Sequence, residues 1–290
     1  MNAYQQVTNS IVSEMEKGII PWQKPFQGPR GSRNYVSRRP YSLLNQMLLP
    51  KAGEWLTPKQ AMDAGADFTG AKASRIYFFR VVEKNTVVKD EQTGEEKTVR
   101  ESYPVLKDYN VLHVTDCRGL EPRIEAPEGG AGSCGDVDAE DIIDAFLART
   151  GVKLQNGVYS NPSYNPATDT VHMPEMKQYT SPEAYYADLF RALAIATGTK
   201  GRLDRGVEEA VSTEGAGREQ LVGEITAALL LNDLEMDTLD VFRNSVAYIQ
   251  TWKEALLADD HMIVWAAGRA EKAADYILGR SGEASSTAAA

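Results

Sequence analysis

The 290-residue sequence holds two cysteines and three histidines, and no unbroken apolar run of membrane-spanning length. Cys117 and Cys134 match neither a zinc knuckle nor a CxxC redox pair, so they read as two spare thiols. His113, His172 and His261 lie on separate segments, which leaves no histidine pair on one helix to hold a metal. The first residues lack the basic start, apolar stretch and small-residue cleavage site of a signal peptide, so a soluble protein in a reducing cytoplasm is expected, with no membrane partner. A hydrophobic content of 42% with 25% charged residues is that of an ordinary folded chain.

Positive charge is also scarce overall. A net charge of −10 argues against a polyanionic partner, yet the average conceals two different halves. Residues 1–120 carry 17 Lys+Arg against 13 Asp+Glu, a balance of +4, while residues 121–290 stand at −14. The length also favours two domains.

In the front half, apolar residues from Val7 to Ile19 recur at helical spacing and predict an N-terminal helix over 3–19. A Pro- and Gly-rich loop follows, then helices from Ser42 to Leu49 and from Thr57, an N-cap ahead of Pro58. Arg75–Val88 and Tyr109–Val114 read as strands, with 90–96 the exposed tip of a hairpin. Residues 119–136 have linker composition. Beyond them, Ala139–Thr150 is a predicted helix, short strands are expected at Val158–Tyr159 and Thr170–Met173, and helices follow from Ser181-Pro182-Glu183, over Arg218–Leu231 and Leu239–Leu257, and to about Leu278. The fold class is α+β, and 281–290 reads as a disordered tail.

The front half interleaves rings with cations: Trp22, Lys24, Phe26, Arg30, Arg33, Asn34, Arg38, Arg39, Tyr41, Trp55 and Lys59. That mixture suits an unpaired nucleic-acid strand, because cations follow the phosphates while flat rings stack on bases, and no recognition helix for a duplex is evident. The same residues admit a second reading in which Trp22, Phe26, Tyr41 and Trp55 are core aromatics and the arginines a solvated rim.

The run Pro21-Trp22-x-Lys24-Pro25-Phe26, then Asn34, Tyr41 and Asn45, then Trp55-Leu56-Thr57-x-Lys59-Gln60-Ala61, then Gly70-Ala71-Lys72 and Tyr109-Asn110-Val111, resembles the N-terminal domain of ArdC-type antirestriction proteins and TraC-type conjugative primases. The resemblance implies non-specific binding of single-stranded DNA by residues 1–118. It marks Trp22, Lys24, Asn34, Tyr41, Asn45, Trp55, Lys59 and Lys72 as motif positions, with Arg30, Arg33, Arg38 and Arg39 as further candidate contacts. Leu43 departs from the pattern by replacing a usual glycine.

In the back half, the segment from Tyr185 to Arg205, with Asp169-x-Val171-x-Met173-Pro174 before it and Glu219-Gln220-Leu221-Val222-Gly223-Glu224 after it, resembles the zincin-like metallopeptidase domain of the same family. The resemblance implies a mainly helical domain over 138–280, separated by the linker 119–137. The zinc-binding pattern requires His at i and i+4 with Glu as base between them. Here those positions are Arg191, Ala192 and Ile195, and Glu224 stands at the third ligand position. Arginine has no free lone pair, alanine accepts no proton and isoleucine is apolar, so neither a metal, a cofactor nor peptidase catalysis is expected. A buried Glu224 without its cation would be costly, which predicts an ion pair with Arg191; the rival reading leaves Arg191 in solvent.

The resulting expectation is a non-enzymatic single-stranded DNA-binding protein of the antirestriction type, from a plasmid, phage or other mobile element. The alternative is a protein-binding pseudo-enzyme that inhibits or scaffolds a host defence component.

Overall fold

A computed structural model describes residues 1–23, 31–89, 96–123, 138–210, 214–236 and 246–280. Helix α1 (Ala3–Met15) opens with Asn2 and Gln5 capping each other and buries Val7, Ile11, Val12 and Met15 at helical spacing. A 3-10 turn at Pro21–Gln23 drives Trp22 into the interior. Strand β1 (Ser32–Asn34), helix α2 (Leu43–Leu48), strand β2 (Gly53–Leu56) and helix α3 (Pro58–Asp63) follow. Thr57 caps α3 as its sequence suggests, with Gln60 returning the second bond and Pro58 in the first turn.

Strands β3 (Ser74–Lys89) and β4 (Glu96–His113) form a hairpin far longer than the sequence signals, because the predicted second strand begins at Glu96 rather than Tyr109. The front sheet has the order β1-β2-β4-β3. Both edge strands are closed by one dipeptide of α2. Asn45 accepts from Tyr77 N and donates to Tyr77 O on β3, while Gln46 accepts from Ser32 N and donates to Ser32 O on β1. A primary amide thus stands in for a strand partner on β3, and on β1 it supplements the bonds that Asn34 N and Ser32 O make with Arg39 O and Tyr41 N.

The back half starts with α4 (Ala139–Thr150), over the residues its pattern predicts. A three-stranded sheet has β7 (Thr170–Pro174) between β5 (Lys153–Gly157) and β6 (Ser163–Asn165). The strand expected at Val158–Tyr159 is not there: Val158 is 90% exposed, just past the end of β5, and its β-branched side chain decorates a turn. Helices α5 (Pro182–Ala196), α6 (Val207–Ala210), α7 (Glu214–Asp233), α8 (Val246–Ala258) and α9 (Met262–Ile277) complete the architecture, which is α+β. No described helix is long and apolar enough to cross a membrane. Helix α7 is buried on every side from Leu221 to Leu231, as its place between α5 and α9 requires. Of the expected linker 119–137, residues 119–123 are described, with Arg123 N donating to Glu54 and its guanidinium over the Tyr35 ring, while 124–137, the tail (281–290), Cys134, the hairpin tip (90–95) and Leu239 lie outside the described residues.

One hydrophobic core joins the two halves. Val7, Ile11, Trp22, Leu43 and Met47 belong to the same buried cluster as Phe190, Leu193, Leu230 and Ala267. Trp22 meets Trp252 of α8 edge-on at 6.2 Å, Thr8 donates to Asp260 O, and Lys253 pairs with Glu16 at 3.0 Å. Leu43, in place of the usual glycine, contributes its side chain to this core. Two smaller clusters line the front sheet: Leu56, Ala61 and Leu112 on one face, and Tyr41, Trp55, Ile76 and Val111 on the other.

Candidate functional site

The front-half candidates separate by burial. Trp22 and Trp55 are each 1% exposed, Tyr41 4% and Asn45 0%, so none can stack on a base or touch a strand without unfolding. In this structure they are placed as the core-aromatic reading has them. The interleaving seen in the sequence is real, but the rings are the inner part of it, and each has a packing partner: Trp252 for Trp22, His113 for Trp55 and Phe78 for Tyr41. Burial also pushes the Tyr41 hydroxyl up to about 12. Asn34 is buried as well and organises a turn. Its Oδ1 accepts from Val36 N and Ser37 N, while its Nδ2 donates to Tyr41 Oη and to Gln60 Oε1.

That turn presents cations. Arg38, in the left-handed region at φ 63°, and Arg39 are exposed, and Arg33 at its base is half-buried. Lys72 is exposed, and Lys59 is exposed with Asp63 2.9 Å away. Lys24 and Arg30 lie outside the described residues. The sequence reading missed the rings that do reach solvent in this half, Phe79 and Tyr103, at 39% and 43%. Both sit on the long hairpin; Phe79 falls in the strand expected over Arg75–Val88, while Tyr103 precedes the strand expected over Tyr109–Val114.

In the back half, α5 and α7 bring the metallopeptidase motif positions together. Arg191 Nε lies 3.1 Å from Glu224 Oε1, and Arg191 Nη1 donates to Asp188 Oδ1 at 2.6 Å. The Nε–H is not aligned on the Glu224 oxygen, so that contact is an ion pair rather than a hydrogen bond. Tyr248 donates to Glu224 Oε2 at 3.0 Å and Tyr179 to Asp188 Oδ2 at 3.1 Å, extending the chain of contacts to five residues. Gly223 permits the approach: a Cβ there would stand 2.8 Å from Arg191 Cγ and 3.3 Å from its carbonyl oxygen. The expected Arg191–Glu224 pair is present. Ala192 is buried and Ile195 half-buried, and neither offers a donor atom. A divalent cation does not fit this set, because both carboxylates already face a guanidinium.

His172 engages Tyr159, its Nδ1 3.2 Å from the hydroxyl. Among the described residues, one group of three carboxylate and imidazole side chains is compact enough for an ion, Asp259, Asp260 and His261 at the turn between α8 and α9. Arg218 already holds Asp259 and His261 holds Asp260.

Burial pushes the Glu224 carboxyl above its ordinary value of 4.5, and the opposing pull of Arg191 and Tyr248 does not offset it. The native state therefore binds its proton more tightly than the unfolded chain. Stability from this group is complete below about pH 4.5 and is lost as pH rises through the native value. Urea midpoints measured between about pH 4.5 and 7 should fall more steeply for the native chain than for Glu224→Gln, by at most about 1.4 kcal/mol per pH unit. Equal slopes would contradict the burial assigned to this carboxylate.

Two family models match the chain: the N-terminal domain of anti-restriction factor ArdC over residues 1–112, and a zincin-like metallopeptidase over residues 141–269. The crystal structure of metal-free antirestriction protein ArdC from the R388 plasmid superposes with a TM-score of 0.69 at 32% identity, covering 97% of this chain and 98% of that one. The chain belongs to the ArdC antirestriction family. The Mn(II)-bound structure of R388 ArdC gives the same TM-score at 28% identity. Two DNA primases TraC of Escherichia coli are 30% and 26% identical over 95% of the chain, which spans only 27% and 20% of their lengths. The protein y4eC of Sinorhizobium fredii is 26% identical over 97% of this chain and 93% of its own. The region matched by the zincin-like model contains no His-Glu-x-x-His sequence.

Proposed function

We propose that this chain is a non-specific single-stranded DNA-binding protein of the antirestriction type, acting in the cytoplasm on behalf of a mobile element, with a peptidase-like half that performs no metal chemistry. The observation that carries the second part is the Arg191 guanidinium set between Glu224 and Asp188, with Ala192 where a general base would be needed. The first part rests on the ArdC-type front half and on the cations it exposes, Arg38, Arg39 and Lys72 among them. Buried tryptophans do not weaken it, since phosphate attraction needs only exposed cations.

Fluorescence anisotropy of a labelled single strand, beside a duplex of equal length, tests this reading. Preference for the single strand is expected, and four phosphate contacts would weaken binding about 50-fold between ~50 and ~200 mM salt, from a slope of about −0.7 per contact. Absence of binding at low salt would favour the alternative, a pseudo-enzyme that grips a host defence protein. The observation behind that alternative is the −14 charge balance of residues 121–290. A complex built on that charge would form with a basic protein surface and without any oligonucleotide, so DNA binding itself separates the two readings.

A further inference from the structure

The β3–β4 hairpin has two chemically different faces. Strand β2 pairs with only His113 and Leu112 of β4, so the remainder of the 16- and 18-residue strands continues as a two-stranded ribbon. Residues opposite one another share a face, and the register places Ile76, Phe78, Arg80 and Val82 against Tyr109, Lys107, Val105 and Tyr103. Ile76 is covered by the Tyr41 cluster at the inner end. Outward from it, Phe78 is half-buried between Tyr41 and Tyr109, with ring centroids at 6.2 and 6.0 Å, and Tyr103 stands in solvent. Arg80 and Lys107 are exposed between these rings, and neither makes an ion pair among the described residues. The carboxylates Glu83 and Asp108 point to the opposite face, where Asp108 lies 3.9 Å from Arg75.

We propose that an unpaired DNA strand lies along this face, its bases stacking on Tyr103 and on the outer edge of the Phe78–Tyr109 pair, its phosphates held by Arg80 and Lys107. The proposal rests on the single-stranded DNA reading above and locates its surface. Charge sorting selects the occupant. From the pair Ile76–Tyr109 out to Val82–Tyr103 the face has two cations, no carboxylate and three rings, the next pair outward being Lys84 and Glu101. This stretch matches a polyanion with exposed π-faces, whereas an acidic peptide would bring no flat groups for the rings. Alternate residues on one face recur every ~6.8 Å along a strand, a repeat that a stretched single strand can follow. Arg39, two residues before Tyr41, extends the cationic track at the inner end.

The test uses the full chain and a labelled oligothymidine strand, with an otherwise identical strand of abasic sites. Tyr103→Ala should weaken binding to oligothymidine about tenfold, Tyr103→Phe should restore it, and both should bind the abasic strand like the native protein. Arg80→Gln with Lys107→Gln should flatten the salt dependence by about 1.4 in log–log slope. Phe79→Ala, on the opposite face, should leave affinity unchanged. Native binding that is indifferent to Tyr103→Ala and to the double charge variant overturns this location and leaves the single-strand reading intact. No native binding overturns both. Because Tyr103 is exposed, circular dichroism of each variant should match the native chain.

Discussion

Replacing Arg205 by methionine is expected to lower stability by about 3–5 kcal/mol, the largest single-residue effect outside the apolar core. Arg205 and Glu219 are the most buried ion pair among the described residues, with side chains 4% and 7% exposed. The guanidinium donates from Nε to both Glu219 oxygens at 3.0 and 3.1 Å, and from Nη2 to Oε2 at 2.9 Å. It also donates from Nη2 to Ala194 O at 2.8 Å and from Nη1 to Thr197 Oγ1 at 2.9 Å. These last bonds satisfy the C-terminal turn of α5, where free carbonyls and the helix dipole both favour a cation. Methionine would fill much of the volume but strand Glu219 in the interior. Lysine should rescue little, since a point charge cannot reproduce the planar fork. Gly198 provides a second route to the same result: a Cβ there would meet Val207 Cγ1 at 2.5 Å and Arg205 Nη2 at 2.7 Å, so Gly198→Ala should also displace the guanidinium. Urea denaturation of Arg205→Met, Arg205→Lys and Gly198→Ala measures all three. A loss below about 1 kcal/mol for Arg205→Met would mean that the pair does not lock α5 to α7.

Arg191→Met is expected to cost about 2–3 kcal/mol, less than Arg205 because its side chain is 30% exposed. The loss comes from Glu224, which would keep its burial and lose its cation. Converting that carboxylate to an amide in the double variant Arg191→Met/Glu224→Gln should recover most of the loss, a coupling that a double-mutant cycle reads directly. Equal destabilisation with and without Glu224 would show the pair to be incidental. The cation's role also predicts the response to metal. Zinc or manganese in excess should leave the native Tm unchanged, since a ligand that binds neither state shifts no equilibrium. A saturable rise in Tm that persists in a variant lacking Asp260 and His261 would contradict the placement of Arg191.

Local signals carried much of the fold. Thr57-Pro58 and Ser181-Pro182 start helices where capping chemistry says they should, and Ala139–Thr150 ends at Gly151 in the left-handed conformation. The Arg191–Glu224 pair was also legible, because a carboxylate left at a ligand position demands a counter-charge. Ring burial was not. An aromatic residue beside an arginine reads alike whether its ring faces water or the core, and only the packing of Trp22 on Trp252, 230 residues away in sequence, separates the two. Asn45 and Gln46 illustrate a different gap. Two adjacent amides in a short helix carry no local signal of their role, which exists only once β1 and β3 are known to be the sheet edges. Arg205 was visible as a motif residue, but its partner Glu219 is set by the packing of α5 on α7.

The core shared between the halves has an evolutionary consequence. Val7, Ile11 and Trp22 are covered only in part by α2 and the β3–β4 hairpin; the rest of their covering surface is made by helices of the peptidase-like half. A mutation that weakens α7, α8 or α9 therefore penalises whatever the front half does, even though no residue of that sheet has changed. Purifying selection on the task of the first hundred residues then extends to the helices behind them. The scaffold can persist under constraint while its motif positions drift, and a gene deletion that trimmed it away would remove the floor on which the N-terminal helix stands.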